Sequence, residues 1–86
     1  MKKYLVTYDL NKSDKNYQGV ISAIEKYNFL KIMYSAYIIK TSDSADAIFS
    51  KIKPYIDSND RLLVVEINTL NEQGWLAEDA WKWIGN

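Results

Sequence analysis

The stretch "FLKIMYSAYIIKT", residues 29–41, decides the fold, because it can form either two short strands or one long bent one. It is rich in β-branched and aromatic residues and exceeds the usual strand length. The small pair Ser35 and Ala36 sits near its middle, where a chain can fold back tightly or through a bulge. The segment predicts strands at about 30–34 and 36–41; one bent strand competes, since neither Gly nor Asn-Gly marks a turn.

Upstream, "KYLVTYDL" (residues 3–10) alternates with a period of two. Tyr4, Val6, Tyr8 and Leu10 form one face; Lys3, Leu5, Thr7 and Asp9 form the other, more polar one. "NKSDKN" then offers caps for a helix, with Ser13, Asp14 or Asn16 able to accept from its free amides. From Tyr17 to Tyr27 the apolar residues Tyr17, Val20, Ile21, Ile24 and Tyr27 fall on one helical stripe, with Asn28 as a stop.

Downstream, "TSDSADAIFSKIKPYI" opens with capping residues and lines up Ala45, Ile48, Phe49, Ile52, Tyr55 and Ile56, with Pro54 expected to kink or finish the last turn. Asp43 and Asp46 lie near the start of this second helix and Lys51 and Lys53 towards its end, as the helix dipole favours. The almost continuously apolar "RLLVVEI" (61–67) predicts a strand inside the sheet, covered on both faces. A polar connector leads to "WLAEDAWKWIGN", with Leu76, Ala80, Trp83 and Ile84 on one stripe and Gly85 as a C-cap. The order β-α-β-β-α-β predicts an α+β, ferredoxin-like domain: a four-stranded antiparallel sheet, two helices on one face and a short C-terminal helical tail. One domain spans 1–86, with a core at about 1–67 and the tail at about 68–86.

Composition narrows the chemistry. The 86 residues contain neither cysteine nor histidine, which removes thiol nucleophiles, imidazole bases and the usual zinc ligands. What remains is chemistry by carboxylates, hydroxyls and lysines, or by a hard cation such as Mg²⁺ or Mn²⁺. Eleven basic residues balance eleven acidic ones, so no general field attracts a polyanion. Arg61 is the one arginine, and hence the one side chain with a rigid fork for phosphate. The N-terminus is too polar for a secretion signal and no apolar run approaches a membrane span, so a cytoplasmic protein is expected.

Asp9 is the leading candidate, since it ends a strand on the face that the helices are expected to leave open. A two-fold axis nearby would make a homodimer and bring two such carboxylates to one Mg²⁺ or Mn²⁺. The competing reading is that Asp9 ends the strand and starts an Asx turn. Tyr4, Tyr8, Tyr34 and Tyr37 offer either stacking platforms for bases or packing groups. Lys31, Lys51 and Lys53 read as a small basic patch or as solvated residues, and Glu66 is a second metal-ligand candidate. Of Trp75, Trp81 and Trp83, Trp81 falls off the docking stripe and marks a protein-partner surface or simple tail packing.

The strand "YLVTYDL" ending in aspartate, the "FLKIMYSAYII" segment with its central serine, and "DSNDRLLVVEI" together resemble the second CRISPR-associated protein family, and more distantly the virulence-associated protein D toxins. The likeness covers about residues 1–67, and the tail is similar to that of small stand-alone members. It implies a ferredoxin-like homodimer and a metal-dependent endonuclease, a phosphodiesterase on RNA or DNA, with Asp9 as the catalytic metal ligand and Ser35 at the family's serine position. Tyr8, Asn11, Arg61 and Trp81 complete the expected substrate or interface residues. The alternative is a non-catalytic dimeric module for a protein or nucleotide partner, in phage defence or counter-defence.

Overall fold

The computed structural model describes residues 1–11 and 17–85. The proposed caps Ser13, Asp14 and Asn16 lie outside the described residues. The elements are β1 (Lys2–Asp9), α1 (Tyr17–Ile24), β2 (Asn28–Met33), β3 (Ala36–Thr41), α2 (Ala45–Ile52), a 3-10 turn (Lys53–Tyr55), β4 (Arg61–Glu66) and α3 (Glu78–Gly85). The four strands form an antiparallel sheet in the order β2-β3-β1-β4, the ferredoxin-like arrangement.

Residues 29–41 form two strands. Tyr34 and Ser35 make the turn, and the β2–β3 register shifts between Lys31 and Met33, so one irregularity absorbs the tight reversal. β2 starts earlier than expected and α1 stops earlier, at Ile24, because Asn28 and Phe29 pair with Lys40 and Ile39. Tyr27 leaves the helix but keeps its side chain on the core.

Tyr4, Val6, Tyr8 and Leu10 are buried together with Val20, Ile24, Ile48 and Ile52, so the even face of β1 lies beneath α1 and α2. Burying side chains of this size stabilises by about 1.5–3 kcal/mol each. Ser44 caps α2 by accepting from the Ala47 backbone N–H at 3.1 Å. Pro54 cannot continue the backbone ladder, and the helix gives way to the 3-10 turn there.

Two expectations need correction. β4 is an edge strand, not a central one: it pairs with β1 alone, and Leu63 and Val65 on its outward face are 54% and 39% exposed. An unbroken apolar run looks the same whether the second face is covered by this chain or left bare. The second face of the sheet is also not wholly open. Lys3 and Lys40, neighbours on β1 and β3, turn away from α1 and α2, and their ammonium groups donate to the Ile84 and Trp83 carbonyls at the end of α3. Lysines here satisfy carbonyls that have no partner within the helix and sit at the negative end of its dipole. Lys40 also lies 4.1 Å from the centre of the Trp83 ring. Burial and the neighbouring Lys3 pull the Lys40 pKa down. Ala80 and Ile84 are buried, Leu76 and Trp83 half-buried, so the expected stripe docks the tail.

Candidate active site

The end of β1 is held from several directions. Its last residues pair with β4, Tyr8 opposite Leu62 and Asp9 opposite Arg61. On the other side, the Ser35 carbonyl accepts two bonds from β1, one from the Tyr8 backbone N–H at 3.1 Å and one from Thr7 Oγ1 at 2.9 Å. Just past the strand, the Asn11 backbone N–H donates to Asp60 Oδ1 at 2.8 Å. The other oxygen of that carboxylate, Oδ2, accepts from the Asp57 backbone N–H at 3.0 Å. Asp60 is 7% exposed and so ties the turn before β4 to the chain leaving β1. Fully bonded, a buried carboxylate positions its neighbours; stripped of partners it would be costly.

Asp9 itself is exposed, and its carboxylate makes no hydrogen bond or ion pair among the described residues. It does not form the Asx turn weighed against catalysis, since the backbone N–H two residues on goes to Asp60 instead. Arg61 stands across from Asp9 but its Nη1 donates to the carbonyls of Asp60 at 3.1 Å and Ser58 at 3.4 Å. A groove of about 300 Å³ runs between the strands, lined by Thr7, Asp9, Arg61 and Leu63 among others. The site therefore offers one free carboxylate, one guanidinium and a hydroxyl on a rigid strand end.

The other expected residues divide. Ser35 is half-buried at the hairpin tip beside Thr7, and Asn11 is exposed next to the strand end. Tyr8 points the other way, 6% exposed in the core against Tyr17, and burial raises its phenol pKa. Tyr4 and Tyr37 are buried as well, their hydroxyls donating to the Asp43 carbonyl and to Glu25, so no row of tyrosines faces solvent. Tyr34 alone of the four is exposed. Glu66 lies opposite Tyr4, five residues along β1 from Asp9, too far to share a cation with it in one chain.

No common basic patch forms either: Lys51 pairs with Asp43 at 2.8 Å, while Lys31 lies over the rings of Tyr34 and Tyr37. Trp81 is half-buried, its ring placed so that a Cβ at Gly74 would lie 3.9 Å from it, and the fully exposed tryptophan is Trp75. The sequence reading missed Asp60. Its only local signal is an aspartate at the end of "DSND", and an aspartate in a turn is most often solvated. Among the described residues no three histidine, cysteine, aspartate or glutamate side chains gather into a metal-sized group. Among the described residues no helix is long and apolar enough to cross a membrane.

Compared with known proteins, residues 1–73 match the family model described as CRISPR associated protein Cas2. No curated protein and no solved structure matches the chain.

Proposed function

The chain belongs to the CRISPR associated protein Cas2 family, and from that premise we propose that it is a metal-dependent phosphodiesterase acting on RNA or DNA as a homodimer. The observation that carries the reading is the Asp9 carboxylate, exposed and without a partner among the described residues, on a strand end that is otherwise pinned.

One Asp9 is too little for a cation site. Mg²⁺ or Mn²⁺ keeps several waters and takes one or two protein carboxylates, so a pair of Asp9 side chains related by a two-fold axis fits such an ion. The apolar surface beside the site, with exposed Leu63 and Val65 and half-buried Leu5, is where a second copy would dock to bring that pair together. An ion held there would stabilise charge on the phosphoryl oxygens and activate water for attack. Arg61 keeps its Nη2 hydrogens for a substrate phosphate while Nη1 holds the turn. Thr7, fixed by Ser35, walls the groove on the other side.

The test is cleavage of single-stranded RNA and DNA in Mn²⁺ by wild type and Asp9→Asn. Wild type should cleave, chelation should stop it, and the variant should fall by about a hundredfold or more. Equal cleavage by both proteins, or none by either, removes the proposal. Light scattering should find a dimer that Leu63→Lys splits.

A second reading, a non-catalytic binding module, draws on Trp75 and Leu70, which are 101% and 93% exposed in the connector before α3. Exposed tryptophan is enriched among residues that dominate protein–protein affinity. If Trp75→Ala and Trp81→Ala retain every partner that wild type captures, that reading loses its basis.

A further inference from the structure

On the helical side of the sheet, away from Asp9, a cleft of about 390 Å³ opens between α1 and the corner where α2 passes into the 3-10 turn. Its size falls in the range of small-molecule sites, about 300–1,000 Å³. Its walls include Lys26, Tyr27, Ser50, Lys51, Pro54 and Tyr55. We infer that this cleft binds a small planar aromatic anion, with a nucleoside 5′-monophosphate as its representative.

Two features set the ligand class. Tyr27 and Tyr55 supply aromatic surface, and Pro54, locked in its backbone angle, gives a stiff wall against which a flat ring can lie. The charge is cationic on balance. Lys26 and Lys51 contribute two positive charges; Asp43, bonded to Lys51 at 2.8 Å, offsets one. Asp43 also accepts from Tyr27 Oη at 2.8 Å, and the Lys51 ammonium lies 5.2 Å from the Tyr27 ring centre. This network fixes both the ring and the ammonium before any ligand arrives, which lowers the ordering cost of binding. Asp43 raises the Lys51 pKa, so the ammonium stays charged. Lys26, exposed and without a hydrogen bond or ion pair among the described residues, is the cation left to meet an anionic group. Ser50 adds a neutral hydroxyl donor.

The inference does not depend on the Asp9 reading, because the cleft lies across the sheet from it. Titrating ¹⁵N-labelled full-length protein with adenosine 5′-monophosphate should give saturable shifts at backbone amides of residues 23–27 and 50–55, with a dissociation constant of about 0.1–1 mM. Lys26→Ala and Tyr55→Ala should each weaken binding by about tenfold. Lys82→Ala, on α3, should leave it unchanged. Adenosine and inorganic phosphate should each bind about tenfold more weakly than the monophosphate. No saturation by about 10 mM, shifts centred elsewhere, unchanged affinity in both cleft variants, or phosphate alone matching the nucleotide would each overturn the assignment.

Discussion

The two ends of β1 are both rigid, yet they differ in what their side chains have left to offer. At the first end the inward-held polar groups are engaged: Lys3 donates to Ile84 and Thr69, and Tyr4 Oη donates to the Asp43 carbonyl at 2.8 Å. The Asp43 carboxylate in turn takes Tyr27 and Lys51. At the second end the backbone is anchored by Ser35 and Asp60, while the Asp9 carboxylate has no partner among the described residues. Fixing a charged group without neutralising it leaves it available to a ligand, and the first end shows how readily this fold neutralises polar groups when nothing further is asked of them.

The largest effect should come from the engaged end. Ile84 is 2% exposed where α3 meets the sheet, and Ile84→Ala should cost about 2–5 kcal/mol in chemical denaturation. A loss under about 1 kcal/mol would mean that α3 is only loosely held, and the contrast between the ends would disappear.

Next comes the anchor of the free end. Removing the Asp60 carboxylate with Asp60→Ala leaves the Asn11 and Asp57 amides without their acceptors and should cost about 1–3 kcal/mol. If cleavage is measurable, the same variant should lower it while Asp9 remains in place, because the strand end loses its tether. Full activity in a destabilised Asp60→Ala protein would show that Asp9 needs no such positioning.

These two residues also mark where sequence reasoning reached and where it stopped. Period-two alternation in 3–10 identified the face that α1 and α2 bury, and the small residues at Ser35 and Ala36 located the hairpin. Alternation says which side chains share a face, but not what covers that face. Hence the edge position of β4 and the seat of α3 on Lys3 and Lys40 were out of reach. Asp9 stood out because a carboxylate at the end of an apolar strand is conspicuous. Asp60 did not, because its burial depends on Asn11, which is distant in sequence.

A smaller effect separates the ends by pH. Hydrogen bonds from Lys51 and then Tyr27 hold the Asp43 carboxyl below its usual range. A carboxyl with a depressed folded-state pKa adds stability above its unfolded value, near 4, and loses it as pH falls through the folded value. The melting temperatures of wild type and Asp43→Asn should therefore differ at neutral pH and converge as the solution is acidified below about pH 4. The pair is exposed, so the difference should be modest. A constant gap from neutral to acid conditions would assign the effect to something other than this carboxylate.

The smallest effect is the most informative about the free end. Since Asp9 has no bond to lose among the described residues, Asp9→Asn should change stability by no more than about 0.5 kcal/mol in metal-free buffer. Adding Mn²⁺ sharpens the measurement, because an ion that binds only the folded protein stabilises it by mass action. Wild type should gain melting temperature with rising Mn²⁺ and Asp9→Asn should not. If the variant is strongly destabilised without metal, Asp9 is part of the framework, and the two ends of the strand are alike after all. If both proteins ignore Mn²⁺, the carboxylate is free but no cation answers it, and binding through the surrounding surface becomes the better account of this end.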